Sequence, residues 1–158
     1  MTPLVLRDAS ADDVELLYSW RNEPAARHNS FNREVIESDA HRRWFAAKLA
    51  AHTQTRIWIL TDDGIPVGQV RYERRGEAAE ISFFIDSRFR GRGLGTAILK
   101  LSAPKACQEL AVHEVRGLVK VDNTASIAAF ERAGFRRNGE RIVNDDRAFV
   151  FSWSDDVY

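Results

Sequence analysis

Apolar and polar residues alternate from Leu4 to Arg7, which predicts a first β-strand. The period then changes. Ser10 reads as a helix N-cap with Asp12 and Asp13 in the first turn, and Val14, Leu17, Tyr18 and Trp20 or Arg21 fall at helical spacing. That helix is expected to end near Asn22, because the residue before Pro24 is pushed away from helical backbone angles. Residues 24 to 37 lack a strong period and read as a loop with room for a short helical turn. Ser38 is placed to cap a second helix, from Asp39 to about Ala51, that buries Trp44, Phe45 and Leu49.

Strands are predicted at 56–60, 67–72 and 80–86, joined by turns at Asp62-Asp63-Gly64 and Arg75-Gly76-Glu77. A helix then spans Leu94 to Leu110. Pro104 lies inside it and removes one backbone hydrogen bond, so a kink or break is expected just before it. Glu114 to Val121 forms a further strand. Asp122 or Asn123 caps a helix running to Arg132, with Gly134 as its stop. Phe135 to Val143 and Arg147 to Trp153 close as a hairpin around Asn144-Asp145. The order β-α-α-β-β-β-α-β-α-β-β implies an α/β (α+β) chain with one mixed sheet and helices on both faces.

Composition narrows the class. A length of 158 residues is read as a single domain, 1–158, and 44% hydrophobic with 29% charged residues is ordinary for a globular protein. No stretch approaches the ~20 apolar residues of a membrane span, and the N-terminus has no apolar run of signal-peptide length. The expected location is the cytoplasm, with no membrane partner. Basic and acidic residues number 23 each, so no global positive field favours nucleic acid. Cys107 stands alone, which excludes an internal disulfide and a cysteine-based metal cluster.

The chemistry concentrates in Arg88-Phe89-Arg90-Gly91-Arg92-Gly93-Leu94-Gly95-Thr96, between a strand and a helix. Alternate glycines can turn successive N–H groups toward one point, and a helix N-terminus with flanking arginines adds positive potential there. Such a loop suits a pyrophosphate. The same residues are also compatible with a plain turn beside a solvated arginine cluster. The spacing is neither a dinucleotide fingerprint nor a Walker loop.

Here the chain resembles the GCN5-related N-acetyltransferases, which move an acetyl group from acetyl-coenzyme A to an amine. Arg90, Gly93 and Gly95 match the family's [Q/R]-x-x-G-x-[G/A] motif, and Asn123 to Phe135 resembles its second motif, N-x-x-[AS]-I-x-x-[YF]-E-x-x-G-F. The resemblance implies a mostly antiparallel sheet and acetyl-CoA as co-substrate, with no metal. It implies main-chain contacts from Phe84, Ile85 and Asp86 to the pantetheine arm. The amides of Gly91, Arg92, Gly93, Leu94, Gly95 and Thr96 would then cradle the pyrophosphate beside Arg90. Asn123 would reach the pantetheine or the acetyl region, and Arg92 would point to solvent or to the 3′-phosphate. Ile127 and Phe135 read as core.

Acetyl transfer to an amine needs a proton acceptor. Glu80 is the leading candidate, since alternation puts Glu80, Ser82 and Phe84 on one strand face, where neighbouring aromatics would shield the carboxylate and raise its pKa. The alternative is a solvated strand-end glutamate. The family's usual tyrosine acid is replaced by Phe130. That leaves Ser126 acting through water, another hydroxyl such as Ser82 or Tyr72, or no acid at all. The acceptor region is expected at Trp20, Arg21, Asn22, His28, His41 and Trp44, whose spacing resembles acetyltransferases of nucleotide-linked amino sugars. Trp20 and Trp44 also suit the cores of two amphipathic helices. A nucleotide-linked amino sugar is thus the first expectation for the amine. A ribosomal-type protein N-terminus is the second, and a non-catalytic acyl-CoA sensor belongs to another class. The partner is a small-molecule amine or a peptide N-terminus, with a homodimer left open.

Overall fold

In the computed structural model, which describes residues 3–155, the alternating segments line up as seven strands of one sheet. They are β1 (Leu4–Asp8), β2 (Thr55–Asp62), β3 (Ile65–Arg75), β4 (Ala78–Ile85), β5 (Glu114–Lys120), β6 (Arg136–Val143) and β7 (Asp146–Ser154). The spatial order is β1-β2-β3-β4-β5-β7-β6. Only β4 and β5 run parallel; every other neighbouring pair is antiparallel. The sheet is therefore mixed, as the element order implied, and mostly antiparallel, as the family resemblance implied.

The helices are α1 (Val14–Arg21), α2 (Pro24–Asn29), α3 (Ser38–Ala50), α4 (Leu94–Leu110) and α5 (Thr124–Arg132). Leu17, Trp20 and Phe45 of α1 and α3 pack on Ile57 and Ile59 of β2. Ile98, Leu99, Ala103 and Leu110 of α4 pack on the opposite face with Trp58, Leu60, Val70 and Tyr72. Burial on both sides explains why Ile57-Trp58-Ile59-Leu60 is an unbroken apolar run.

Four local details refine the sequence picture. Pro24 opens α2 at a first-turn position, where its missing N–H costs nothing, so the stretch read as loop contains a short helix. Glu37 rather than Ser38 is the N-cap of α3, and Ser38 is its first helical residue. α4 runs through Pro104 without a break. That ring lies on the exposed side, so the carbonyl it deprives of a donor faces water. Asn144 and Asp145 both have positive φ (48° and 70°), the left-handed pair that a tight β6–β7 turn requires.

Candidate active site

The parallel pairing of β4 with β5 is short. It runs from Ala78 opposite Glu114 to Ile81 opposite Gly117 and then stops. The reason lies at its last pair. A Cβ on Gly117 would come within 2.5 Å of Phe130 Cζ and 2.9 Å of Ile81 Cγ2, so the α5 ring fills the space beside that glycine. Phe130 is 1% exposed, stacked on Phe151 and set edge-on to Phe83 and Phe135. It is a wedge at the point where the two strands part.

Beyond the wedge, the gap-side edge of β4 has no strand partner. The Asp86 N–H donates to Val67 O of β3 at 2.9 Å. Alternation therefore turns the main chain of Phe84 toward β3 as well, and that of Phe83 and Ile85 toward the gap. Ile85 O already accepts from Arg90 Nε (3.2 Å) and Nη2 (3.1 Å). The open groups are thus the N–H and C=O of Phe83 and the N–H of Ile85. This corrects the expectation for Phe84 and Asp86, whose backbones are used within the sheet, and it adds Phe83, which the motif comparison missed by one residue.

At the far end of the gap lies the glycine loop. Gly91 and Gly93 have φ of +79° and +74°, and Gly93 is the N-cap of α4. The first bond of the helix runs from the Ala97 N–H to Gly93 O (3.1 Å), so the N–H groups of Leu94, Gly95 and Thr96 are left over at its N-terminus. Those of residues 91–93 donate to no described main-chain group. Gly95 has a packing role too, since its Cβ would lie 3.3 Å from Ala129 Cβ and 3.4 Å from Phe83 Cε2. Arg90 lies over the Phe84 ring at 5.2 Å and 3.6 Å from Glu23. Arg92 is exposed beside the Phe89 ring and lies outside the cleft lining. An open amide cradle at a helix N-terminus, backed by an arginine, fits a diphosphate.

Asp86 has a different task from the one expected. Its buried carboxylate accepts from Trp20 Nε1 (2.9 Å), the Arg88 N–H (3.0 Å) and Arg88 Nη2 (2.8 Å), which ties α1 to the glycine loop. The Arg88 side chain, helped by its N–H and by Trp20, holds this carboxyl well below the usual carboxylate range. Folding therefore favours the ionised form. The associated stability is fully present above the unfolded value of about 4 and is lost as pH falls below it. Asp86→Asn is expected to lower stability at neutral pH by about 1–3 kcal/mol and to flatten the acid side of the stability–pH curve. Denaturant titrations between pH 7 and 3 check both; an unaltered acid slope would mean that Asp86 is not a principal titrating group.

One cleft of about 790 Å³ joins the loop, the strand gap and the region below α1 and α3. Glu80 and Ser82 line it from β4, and Ser126 and Asn123 from α5. Glu80 is 45% exposed and ion-paired with Arg75, so it is a solvent-contacting carboxylate rather than one shielded by aromatics. Asn123 Oδ1 accepts the Ser126 N–H at 3.2 Å as the helix cap, leaving the Nδ2 group as its donor. Tyr72 is excluded as an acid at this site. Its hydroxyl meets Ser102 Oγ at 2.7 Å beneath α4, on the opposite sheet face, and burial pushes the phenol pKa up.

In the half of the cleft where the acceptor is expected, Trp20, Arg21, His41 and Trp44 are lining residues, together with Arg71 of β3. Trp20 is 4% exposed and held by Asp86, so it forms wall more than open platform. His41 lies among Tyr18, Trp44 and Phe45, and burial lowers its pKa, which keeps it neutral. Two expected residues do not line the cleft. Asn22 clamps Ile36 through both side-chain atoms (2.9 and 3.0 Å) and so fixes the α2–α3 segment. His28 is exposed near Asp122, and its carbonyl accepts from Lys120 Nζ at 2.7 Å. Arg71 escaped the sequence reading because a charged residue on an alternating strand looks like solvent-facing polarity.

The chain matches the model of the acetyltransferase (GNAT) domain over residues 3–136. It belongs to this family of N-acetyltransferases, and acetyl-CoA is its co-substrate. It is similar to L-amino acid N-acetyltransferase AaaT of Escherichia coli strain K12, with 24% identity over 144 residues, covering 88% of this chain and 86% of that one. Its fold is shared with spermidine N-acetyltransferase from Vibrio cholerae in complex with CoA and spermine (TM-score 0.85, 16% identity, 96% and 95% coverage). The ribosomal L7/L12 α-N-protein acetyltransferase RimL in complex with coenzyme A superposes as well (TM-score 0.83, 18% identity, 98% and 95% coverage). No helix among the described residues is long and apolar enough to cross a membrane.

Proposed function

We propose that this enzyme acetylates a primary amine of a nucleotide-linked amino sugar, in a cytoplasmic setting. The observation that carries this reading is the shape of the cleft described above. The strand gap opens at one end on the amide cradle and at the other on Trp44, Arg21 and Arg71. Acetyl-CoA supplies the acetyl group as a thioester whose thiolate can depart. The chain's own residues then have three tasks. The amides of residues 91–96 hold the diphosphate, and Phe83 and Ile85 align the pantetheine as a pseudo-strand. Glu80 takes the amine proton, directly or through water, and passes it to solvent, to which its exposed face is open. Ser126 is the nearest expected hydroxyl on α5, one turn before Phe130, and the thiolate otherwise leaves without a protein acid.

The test is release of free thiol from acetyl-CoA on a panel of UDP-amino sugars and N-terminal peptides. Turnover with a sugar supports the reading; turnover with peptides alone replaces it with the ribosomal-protein type. Acetyl-CoA binding with no turnover on any amine would favour a sensor. Glu80→Gln is expected to lower kcat roughly 10²-fold. It should also flatten the acid limb of the kcat/KM profile while acetyl-CoA affinity holds. An unchanged rate and profile would move the base elsewhere.

A further inference from the structure

The acceptor half of the cleft is electrically lopsided. Among the described residues the titratable groups lining the whole cleft are Arg21, His41, Arg71, Glu80, Arg90 and Arg132. Glu80 is the lone carboxylate, and Arg75 already pairs with it. Glu73, just outside, is shared by Lys48 (2.8 Å), Arg75 (3.2 Å) and Arg71 (3.4 Å). One shared carboxylate leaves Arg71 incompletely compensated.

Two guanidinium groups therefore face the cleft, one short of a full carboxylate partner and one with none among the described residues. Arg71 lies over the Trp44 ring at 4.9 Å; among the described residues its ion-pair contact is Glu73, with Glu80 acting on it from farther off. Arg21 Nη2 donates to Asn32 O at 3.2 Å, while its Nη1 is buried with no hydrogen-bond partner. A buried, unpaired donor on a charged group is costly unless a ligand completes it. Burial pushes both guanidinium groups down from the ordinary arginine value, and the Arg21 charge adds to that shift at Arg71.

Resting on the transferase reading above, we propose that Arg21 and Arg71 jointly hold an anionic group of the acceptor, a carboxylate or a phosphoryl group. The enzyme thereby selects amines that carry such a group near the reacting nitrogen. Register sets the spacing. Arg71 stands opposite Ser82 on the cleft face, and the neighbouring same-face pair is Glu73 with Glu80. Opposed and diagonal side chains on one face are about 5–8 Å apart, so the anion and the amine facing Glu80 are separated by a similar distance. Planar guanidinium forks favour two-pronged binding of carboxylate or phosphoryl oxygens. Polycations meet a lining in which arginines outnumber the one carboxylate, Glu80.

Matched pairs test this. An amino acid is compared with its carboxamide, and an amino-sugar phosphate with its methyl glycoside, first by calorimetry on protein saturated with CoA. At least one anionic member is expected to bind 100-fold tighter than its neutral partner, and the pair that responds tells carboxylate from phosphoryl. Arg71→Gln and Arg21→Gln should each weaken that binding tenfold or more and leave acetyl-CoA affinity within twofold, while Arg71→Lys recovers part of it. In turnover the same loss should appear in KM more than in kcat. Equal binding of anionic and neutral members, or variants that weaken both equally, overturns the proposal. Because calorimetry needs no catalysis, a protein that transfers acetyl to nothing still decides the anion site. Turnover on neutral amines alone would sink the site and spare the transferase. Should Arg71→Gln fail to fold, Arg21→Gln carries the test, since Arg21 pairs with no carboxylate among the described residues.

Discussion

Gly93→Val is expected to reduce acetyl-CoA affinity by at least 100-fold while the protein still folds. Two effects act at this position. The backbone sits at φ +74°, a left-handed conformation that costs a β-branched residue about 1–3 kcal/mol. No protein atom lies within 4 Å of the place a Cβ would take. The added side chain therefore meets no wall of the protein, and because Gly93 lines the cleft it is expected to crowd the space the amide cradle leaves for the diphosphate. Calorimetry with acetyl-CoA reads the affinity, and a thermal melt separates it from the modest loss of stability. Binding at the wild-type level in Gly93→Val would falsify the assignment of residues 91–96 to the pyrophosphate.

Gly117→Ala is expected to have the largest effect on stability, about 2–3 kcal/mol from one methyl group. Its Cβ would stand 2.5 and 2.8 Å from two atoms of the Phe130 ring and 2.9 Å from Ile81. Phe130 is locked between Phe83, Phe135 and Phe151, so it has little room to withdraw. The same displacement would shift the point where β4 and β5 part, and activity should fall with stability. In a Phe130→Leu background the methyl group finds space, and the penalty should shrink by more than 1 kcal/mol. Denaturant melts of the two single variants and the double variant give this coupling. Additive losses would show that Phe130 is not what makes glycine necessary there.

The wedge also bears on the missing acid. Where the family motif resembled here usually has a tyrosine, this chain buries a phenyl ring in the core at the mouth of the gap. The substitution keeps the packing that opens the strands and removes the hydroxyl.

Much of the molecule was legible in the residues. Period-two and helical spacing located every long element, because each buries one face or one stripe and sequence records that directly. The glycines of the loop were legible for the same kind of reason. Positive φ at 91 and 93 and the close approach at 95 are constraints on a residue and its immediate neighbours. The short helix α2 and the unbroken α4 were less so, since a proline's cost depends on which side of a helix its ring faces.

The remaining features needed the third dimension. That Asp86 clamps Trp20 across 66 residues, that Asn22 fastens Ile36 rather than facing a substrate, and that Glu80 meets Arg75 all depend on pairings which no local pattern encodes. Which β4 amides face the gap turns on one hydrogen bond to Val67, a parity that shifts the assignment from Phe84 to Phe83. Arg71 came to line the cleft only when β3 was set beside β4 and Trp44 above it. Sequence alone determined the elements, the loop and the family, since those rest on spacing and on residue-level conformational limits. Tertiary structure decided which charges are paired and which face the cleft, because Coulomb and hydrogen-bond energies depend on distances that only the packed chain sets.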